Sequence, residues 1–447
     1  MKYGPNKGTE IKYMMKQRHE LTNNCDKPLT IVIGAGLAGV STAYALAARG
    51  VPTLLIDEGS EPASGSSHAN AGMLTSSMSS PWNSPGLLWQ VAKATFGGSS
   101  PFSIRAGQML KLAFWGLSFF RSANTRHYQY ASKMNFRLAQ YSMGRTRALR
   151  TALNLEYDSD SQGTLKIFRD HKAFSRAIGL ARSMCNEGLA FSVVTPEEII
   201  QIEPMLASKI GSIIGGIYYP DDESGDANKF TQRLFDEFVR VGGEVRFNTC
   251  IARIVEDKNG IVGVETSAGI VDCKQVVVAA GHASVGLLAL NSISLPIKPV
   301  KGYSVTFECK EGYLPRVPVV DDGNFAVVTP LGSRLRVSGF AEFSGNDDTI
   351  DDSRVAELVS ALDNIYPSIG SRLRLHEAKA WTGLRPVSAD GLPFIGGTSI
   401  KGLFLNTGHG HLGWTMAAGS GHLLADHMLD QPAEIDIRPY QIDRDYF

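Results

Sequence analysis

The first strong hydrophobic pattern of the chain begins at Leu29. Residues 29–33 (LTIVI) form a short, nearly continuous apolar run, which predicts a strand that is buried on both faces. A glycine-rich turn, an alanine-rich stretch that ends at Gly50 and a second apolar run over 51–59 (VPTLLIDEG) follow. This order predicts a strand, a turn, a helix and a second strand, which together make a βαβ unit with a right-handed crossover.

Beyond this unit the periodicity changes several times. A loop rich in Ser, Asn, Gly and Pro covers 64–84, and helical patterns dominate 85–160. Residues 228–243 follow the helical period and end at two glycines, which predicts an amphipathic helix. The other predicted elements are helices over 135–153, 171–188, 196–204 and 413–429, a strand over 164–169, several strands within 244–281 and an antiparallel sheet over 296–345.

Length, composition and charge narrow the class of protein. The 447 residues predict two or three domains, and 43% hydrophobic with 20% charged residues excludes a wholly disordered chain. Because 44 basic residues balance 44 acidic ones, a protein built to coat nucleic acid is disfavoured. The five cysteines include no CxxC pair, so the sequence predicts neither a zinc site nor a disulfide framework, and we expect no metal.

The glycine turn carries the strongest chemical signal in the sequence. Gly34, Gly36 and Gly39 form GxGxxG directly after the first strand, and Asp57 closes the second strand. In this arrangement the first glycine permits the tight turn, the second admits a pyrophosphate to the backbone, and the third lets helix and strand pack closely. The helix N-terminus faces the phosphates while the acid accepts hydrogen bonds from ribose hydroxyls. The sequence therefore predicts a dinucleotide site, and the acid disfavours NADP.

Several further motifs resemble one known family of flavoproteins. The strand 275–281 (QVVVAAG) resembles the second sequence signature of FAD-dependent oxidoreductases. Together the motifs resemble the D-amino-acid oxidase superfamily, and the nearest match is the bacterial FAD-dependent D-amino-acid dehydrogenases of the small-subunit type. The resemblance spans Leu29 to the C-terminus, and its other motifs are WTGLRP at 381–386, DGLP at 390–393, NTGHGHLGWT at 406–415, HANAG at 68–72, SPW at 80–82, PG at 85–86, DESGD at 222–226 and KGYS at 301–304.

The resemblance implies an α/β fold in which two domains are interleaved. An FAD-binding, Rossmann-like domain is expected over 29–84, 222–295 and 384–447. A substrate domain with an antiparallel sheet is expected over 85–221 and 296–383, with a helical apolar insertion near 86–120. Residues 1–28 are expected to form an N-terminal extension.

The resemblance also implies a reaction. Enzymes of this kind oxidise the Cα–N bond of an amino acid by hydride transfer from Cα to flavin N5, and the resulting imino acid is hydrolysed. A small D-configured or cyclic amino acid is the expected substrate. A secondary amine or a glycine-type substrate (sarcosine, proline, hydroxyproline) remains open, and an FAD monooxygenase is a further alternative. The residues named so far do not separate these possibilities.

Four side chains are candidates for the catalytic site. Arg385 matches the family's carboxylate-binding arginine, whose planar fork can hold a carboxylate with two hydrogen bonds. Tyr303 is expected either in the pocket wall or in a hydrogen bond to that carboxylate. Arg336 stands about where related oxidases keep a lysine that assists oxygen, which favours a dehydrogenase. His68 is expected either to contact substrate or to face solvent.

The cofactor is expected to be non-covalent FAD. The resemblance places its adenine end at Ile251 and its flavin near the start of the last helix, where backbone N–H groups and the positive helix end stabilise a reduced, anionic ring. The residues expected to bind it are Gly34, Gly36, Leu37, Ala38, Gly39, Asp57, Glu58, Ser66, Ser67, Asn70, Ala71, Gly72, Met73, Ile251, Ala280, Gly281, Gly410, His411, Leu412, Gly413, Trp414 and Thr415.

The expected partners follow from the same resemblance. Related dehydrogenases pass electrons to a quinone or a similar respiratory acceptor, so they meet the membrane. The resemblance therefore raises a membrane contact for this protein too. Residues 86–120 combine apolar and basic residues, which suits either a peripheral membrane contact or a helical cover over the active site. The most apolar patch, 112–120, is too short to span a bilayer. We expect a cytoplasmic protein, with any membrane contact at the inner face of the cytoplasmic membrane.

Overall fold

A computed structural model describes residues 28–85, 102–108, 112–309, 312–370 and 378–444. The strands of this part are β1 (Thr30–Ile33), β2 (Thr53–Ile56), β3 (Met73–Leu74), β4 (Phe102–Ile104), β5 (Thr164–Phe168), β6 (Ser192–Val194), β7 (Gly215–Tyr219), β8 (Glu223–Ser224), β9 (Glu244–Arg246), β10 (Ile251–Asp257), β11 (Gly260–Thr266), β12 (Gly269–Asp272), β13 (Gln275–Val278), β14 (Ile297–Glu308), β15 (Val319–Asp321), β16 (Ala326–Leu331), β17 (Arg334–Phe343), β18 (Lys379–Ser388), β19 (Phe394–Gly397) and β20 (Leu403–Thr407). The helices are α1 (Leu37–Ala47), α2 (Ala113–Arg121), α3 (Thr125–Leu153), α4 (His171–Met184), α5 (Pro196–Ile202), α6 (Ala227–Arg240), α7 (Ser284–Ala289), α8 (Asp352–Ile365), α9 (Pro367–Gly370) and α10 (Gly413–Met428).

A six-stranded sheet has the order β19-β20-β13-β1-β2-β9 and is parallel except for β19. Both faces of β1 are covered, as its apolar run predicts. Val32 packs on one side with residues of α1, α6 and α10, while Ile31 and Ile33 pack on the other side with residues of β10–β13. Parallel sheets are stable only when both faces are buried in this way. The predicted βαβ unit is therefore present as β1-α1-β2.

The helix α10 lies between α1 and α3 at very short range. A Cβ added to Gly421 would lie 2.7 Å from backbone atoms of Ser41 and Thr42 in α1, and one added to Gly419 would lie 2.5 Å from the Cβ of Ser142 in α3. The backbone amide of Gly419 also donates a hydrogen bond to the Ser142 hydroxyl at 2.8 Å. Two glycines therefore allow three helices to pack closely, and this fixes the N-terminal end of α10 relative to β1.

A nine-stranded sheet forms the second layer, in the order β18-β14-β17-β16-β15-β5-β7-β6, with β4 paired to β17. Most of its pairs are antiparallel, but β15 pairs β5 and β17 pairs β4 in parallel. Its core includes Val305, Val337 and Val328, and α8 packs against it through Leu358 and Leu362. The predicted antiparallel sheet over 296–345 is present, and α8 was not assigned from the sequence.

The structure differs from the predicted pattern at three places. The helix expected over 135–153 begins at Thr125, because the Asn124 side chain accepts a hydrogen bond from His127 N and caps it. Within the expected helical insertion 86–120, residues 102–104 form the strand β4 rather than a helix, while 86–101 and 109–111 lie outside the described residues. The expected domain boundary at residue 384 falls inside β18, so 384–388 belong to the nine-stranded sheet.

The length and apolar character of the described helices bear on how the protein could contact a membrane. None of them combines the length and the apolar character that are needed to cross a bilayer.

The close packing of α10 predicts opposite effects for two glycine substitutions. Gly421→Ala places a methyl group against the backbone of α1, and overpacking of this kind lowers the free energy of unfolding by about 1–3 kcal/mol. Gly144→Ala, on an exposed site of α3 with no atom near the added Cβ, should raise it by about 0.5–1 kcal/mol through helix propensity. Chemical denaturation of the two variants measures both effects. If both substitutions changed the free energy of unfolding equally, the close packing of Gly421 against α1 would be contradicted.

Candidate active site

The glycine turn between β1 and α1 has the backbone that a phosphate cradle requires. Gly34 has φ +105°, and a Cβ there would lie 2.7 Å from the carbonyl oxygen of Ala279, so only glycine fits without strain. A Cβ at Gly39 would lie 1.7 Å from the oxygen of Gly34, which explains the close contact of helix and turn. Gly36 differs from both, because it has φ −75° and the nearest atom to an added Cβ is the Ser67 hydroxyl at 3.3 Å.

Asp57 stands at the C-terminal end of β2, beside this turn. One carboxylate oxygen accepts a hydrogen bond from the Ala35 amide at 2.5 Å, and the other accepts one from the Gly59 amide at 2.6 Å. These two bonds fix the side chain relative to the glycine turn. Asp57 and Glu58 both line the cavity, as the sequence predicts for residues beside a ribose.

One large cavity, of about 1060 Å³, connects the glycine turn with the nine-stranded sheet. Its volume is at the top of the range for ligand pockets, which suits an extended cofactor together with a small substrate. All the residues expected to bind the cofactor line it except Gly39, which lies behind the turn. Of the four catalytic candidates, Arg385 and Tyr303 line the cavity, and His68 and Arg336 do not.

The loop 66–72 is held by the nine-stranded sheet through three consecutive carbonyl groups. Ala69 O accepts from the Ser304 hydroxyl at 2.6 Å, and Asn70 O accepts from Nη1 of Arg336 at 3.0 Å. Ala71 O accepts from the Thr329 hydroxyl at 2.8 Å. The donors come from the adjacent strands β14, β17 and β16 and are almost fully buried. We call these three side chains the carbonyl clamp.

Arg336 therefore lies behind the cavity wall and acts on it through Asn70. Its Nε donates to the Thr306 hydroxyl at 3.0 Å, and its Nη2 lies 3.6 Å from a carboxylate oxygen of Asp226. Asp226 also caps the start of α6 and binds Arg334. Burial lowers the pKa of Arg336. In this position the guanidinium binds the loop carbonyl of Asn70 and does not line the cavity.

Two uncharged histidines stand before α10, of which His409 is buried and His411 is half-buried. Burial lowers the pKa of His409 and of His411 to about 4, so both rings are neutral near pH 7. His411 Nε2 pairs with the Met78 carbonyl at 3.1 Å, and its ring stacks on Trp82 at 5.2 Å. His409 Nε2 is buried and has no hydrogen-bond partner among the described residues. An unpaired polar atom in a cavity wall indicates a place for a ligand atom.

Arg385 is the only arginine or lysine among the described residues that line the cavity. Burial lowers its pKa to about 10, so it stays charged at neutral pH. Its Nη1 donates to the Phe340 carbonyl at 3.0 Å, and no carboxylate of the described residues pairs with it. Its side chain is half-buried beside the cavity, and N–H groups not bonded to Phe340 suit an anionic ligand.

The backbone around Arg385 is shaped to receive its side chain. A Cβ at Gly302 would lie 2.2–2.4 Å from Nη1, Nη2 and Cζ of Arg385, so the guanidinium lies flat on this glycine. The register of β14 and β17 shifts between Lys301 and Tyr303, which forms a β-bulge, and Phe340 in the bulge has φ +62°. Bulges are frequent beside active sites, where they redirect backbone groups. Here the bulged strand presents the carbonyl that Arg385 binds.

Tyr303 forms part of the cavity wall, and its hydroxyl is already in use. The hydroxyl donates to Oε2 of Glu342 at 2.9 Å, and Glu342 also binds Arg105. Burial, and then the neighbouring Glu342, raise the pKa of Tyr303. Of the two expected roles, the contacts favour the pocket wall over a hydrogen bond to a carboxylate.

His68 is exposed, and its Nδ1 lies 3.2 Å from the side-chain nitrogen of Asn228. Its ring centroid is 6.2 Å from that of Trp381, which itself lines the cavity. His68 therefore borders the wall from outside. Of the two expectations for His68, contact with substrate or exposure to solvent, this position matches exposure to solvent.

Sequence reasoning did not assign several residues that line the substrate side of the cavity. They are Met78, Trp82, His282, Gly302, Phe340, Trp381, Thr382, Gly383 and His409. The motifs contain Trp82, Gly302, Trp381, Thr382, Gly383 and His409, but they gave these residues no role in substrate binding. Nothing in the sequence signals Phe340, because its contribution is a carbonyl group set by a bulge.

Comparison with known proteins identifies the family. The sequence profile described as FAD dependent oxidoreductase matches residues 30–427. The chain belongs to the FAD-dependent oxidoreductase family. It is 38% identical over 416 residues to a D-amino acid dehydrogenase of Bradyrhizobium diazoefficiens, covering 93% of this chain and 98% of the relative. It is 36% identical over 409 residues to D-amino acid dehydrogenase 1 of Mesorhizobium japonicum, covering 91% and 97%.

Solved structures share the fold of this FAD-dependent oxidoreductase. Glycine oxidase from Geobacillus kaustophilus superposes with a TM-score of 0.74 at 22% identity, covering 94% of this chain and all of that one. L-proline dehydrogenase from P. horikoshii gives 0.71 at 20% identity, covering 93% and 97%. The predicted fold class, the D-amino-acid oxidase-like fold, is confirmed, and so is FAD as the cofactor.

The residues present fit FAD. The cavity runs from Thr249 and Ile251 past the glycine turn to the start of α10, so it joins the elements that hold an extended dinucleotide in folds of this kind. Leu37 and Ala38 begin α1 at the turn, and Gly413 begins α10, so two helix N-termini face the cavity. Both can stabilise negative charge on a ligand.

Two substitutions in the glycine turn separate folding from cofactor binding. Gly36→Ala leaves φ and packing acceptable, but its methyl group stands where the pyrophosphate approaches. We expect the apoprotein to unfold near the wild-type temperature while FAD affinity falls at least about tenfold, a loss typical of one blocked close contact. Gly34→Ala, with φ +105° and a clash against Ala279, should lower both the unfolding temperature and the affinity. Calorimetry and FAD titration measure the two quantities, and normal FAD binding by Gly36→Ala would contradict this account.

Proposed function

We propose that the protein is a dehydrogenase that oxidises the Cα–N bond of a small amino acid, D-configured or cyclic, to an imino acid. The observation that carries the proposal is the half-buried guanidinium of Arg385, which lines the cavity and has no carboxylate of the described residues bound to it. A carboxylate is its natural complement, because two oxygens match two parallel N–H groups. The relatives named D-amino acid dehydrogenase, at 36–38% identity, support the D configuration.

The cavity residues prepare the substrate for this oxidation. When bound, FAD supplies a hydride acceptor at N5 for the hydrogen on Cα. Arg385 holds the carboxylate and thereby restricts rotation of Cα. Its positive charge favours the neutral form of the nearby amine, whose lone pair drives the oxidation. Trp82, Tyr303 and Phe340 line the same space with rings that exclude water. Water hydrolyses the imino acid to a 2-oxo acid and an amine afterwards.

An anaerobic spectrum of the holoenzyme tests the proposed reaction. Additions of D-, L- and N-methyl amino acids, one at a time, should bleach the flavin with one class only. We expect D-configured or cyclic amino acids to be that class. If sarcosine or glycine bleached the flavin in preference to D-configured or cyclic amino acids, the alternative of a secondary amine or a glycine-type substrate would be favoured. A spectrum that changes only on addition of NAD(P)H would favour a monooxygenase and contradict the proposal.

Arg385→Ala is the matched control for the same assay. Loss of a buried charge partner should weaken substrate binding about a hundredfold or more, while bound FAD stays in place. In the wild type, binding of a carboxylate without an amine, such as acetate, should be nearly constant between about pH 6 and pH 9, because His409 and His411 stay neutral and Arg385 stays charged. Binding should weaken above the Arg385 pKa of about 10, where the guanidinium loses its proton. Unchanged binding in Arg385→Ala would remove this residue from the site.

We propose further that the electrons pass to a quinone-type acceptor, at the inner face of the cytoplasmic membrane, with peripheral contact through residues 86–120. The described part of this segment supports a surface contact. In α2, Trp115 and Phe119 are buried against the nine-stranded sheet, while Leu117 and Phe120 are exposed. Ile104 in β4 is exposed as well, and α2 ends at the exposed, basic Arg121. Apolar residues with basic neighbours suit a bilayer interface.

Vesicles with anionic lipids test the membrane contact. The holoenzyme should sediment with them, and the double variant Leu117→Ser with Phe120→Ser should bind at least about tenfold more weakly, because two large apolar side chains are lost. A matched double variant, Val193→Ser with Ile270→Ser, removes exposed apolar side chains elsewhere and should bind as the wild type does. Equal binding of both double variants would exclude α2 as the contact.

A further inference from the structure

The substrate end of the cavity has a bare patch of backbone where two strands meet. Gly302 in β14 is the direct cross-strand partner of Gly383 in β18, and both residues line the cavity. Residues directly opposite each other in an antiparallel pair point their Cβ positions to the same face, about 4.5–5.5 Å apart. The two glycines therefore leave room for two side chains to lie next to each other on this face.

Each glycine is covered by a different side chain. The guanidinium of Arg385 lies flat on Gly302, as described above. A Cβ at Gly383 would lie 2.0 Å from Cη2 of Trp381 and 2.7–2.8 Å from the two adjoining ring carbons, so the six-membered ring of the indole sits on Gly383. Both separations are shorter than any real Cβ contact. Alanine at either position would displace the side chain that covers it.

The guanidinium and the indole are therefore neighbours on one surface. Trp381 and Arg385 flank Gly383 on the same face of β18, because side chains of a strand alternate with a period of two. A carboxylate held by Arg385 brings the substituents of its Cα next to the Trp381 ring. The outer side of that ring borders His68, at 6.2 Å between centroids, which limits its movement away from the cavity.

The charges of the residues that line the cavity also favour a substrate with an apolar side chain on Cα. Arg385 is the only arginine or lysine among its described lining residues, whereas five lining residues are acidic: Asp57, Glu58, Asp321, Asp322 and Asp348. A second carboxylate on the substrate would thus meet no arginine or lysine of the described wall. An apolar side chain would meet the indole, which stabilises it by burial.

We propose that Trp381, seated on Gly383 beside Arg385, is a specificity-determining residue that selects amino acids with apolar side chains over acidic ones. The proposal rests on the proposed function, since it takes Arg385 as the carboxylate-binding group. Gly383 is the positioning residue that gives the indole its place. Gly302 has the corresponding role for the guanidinium.

Non-reacting carboxylates test the proposal on the holoenzyme, with the visible spectrum of the oxidised flavin as the readout. Acetate, propanoate and butanoate form a series of increasing chain length, and succinate adds a second charge. In the wild type each added methylene should strengthen binding about fourfold, and succinate should bind more weakly than butanoate. In Trp381→Ala the dependence on chain length should largely disappear, while acetate binds within about twofold of the wild type.

Three further variants give matched controls. Trp381→Phe keeps an aromatic ring and should retain most of the chain-length dependence. Gly383→Ala adds one methyl group, which displaces the indole. It should therefore lose the dependence of binding on chain length, as Trp381→Ala does. Gly302→Ala displaces Arg385 instead. It should therefore weaken the binding of acetate and the binding of butanoate by the same factor. Flavin content and unfolding temperature confirm that each variant is folded and loaded.

The outcomes separate this proposal from the proposed function. Unchanged chain-length dependence in both Trp381→Ala and Gly383→Ala would overturn the role of Trp381, and so would succinate binding more tightly than butanoate in the wild type. Acetate binding that is the same in Arg385→Ala and the wild type would instead contradict the carboxylate site itself. If the proposal holds, anaerobic flavin reduction should follow the same order, with D-leucine favoured over D-glutamate in the wild type and not in Trp381→Ala.

Discussion

The carbonyl clamp is the contact on which the geometry of the active site depends. Hydride transfer requires the reacting atoms within about 3–3.5 Å, so the cofactor and the substrate must be held in a fixed relation. The residues that we expect to bind the cofactor lie mainly around the six-stranded sheet, and Arg385 lies on the nine-stranded sheet; the two sheets come from interleaved segments of the chain. Ser304, Arg336 and Thr329 join them by binding three consecutive carbonyl groups of one loop. Three adjacent bonds fix the loop in translation and in rotation, which a single bond cannot do.

The burial of Arg385 is stabilised by backbone features more than by charge. The described residues give it no carboxylate, and its partner is the carbonyl of Phe340, which the β-bulge in β17 presents. Gly302 then removes the side chain that would block the guanidinium. This arrangement keeps the remaining N–H groups available for a ligand, whereas a permanent ion pair would occupy them. The strained backbone at Phe340 and the desolvated charge are local costs that an anionic ligand can offset.

The sequence predicts the cofactor end far better than the substrate end, for a physical reason. Residues such as Gly34 and Asp57 act through their immediate chain neighbours, so a short motif contains nearly the whole interaction. The substrate end joins β14, β17 and β18, whose register depends on a bulge that no residue type announces. Arg385 was found only because its motif resembles a family. Arg336 and His68 are near the cavity in space, but the directions of their side chains depend on contacts with Asn70 and Asn228.

A cavity wall whose described residues include one arginine, no lysine and three histidines with lowered pKa values also constrains the proposed reaction. Arg385 can neutralise only one carboxylate, and His409 and His411 remain uncharged because burial lowers their pKa to about 4. In the proposed reaction, a substrate ammonium group next to Arg385 would be repelled, so this part of the wall favours the neutral amine. The same electrostatics that select a monocarboxylate thus prepare its nitrogen for oxidation. Under the proposed function, binding and activation of the substrate are two effects of the one charge on Arg385.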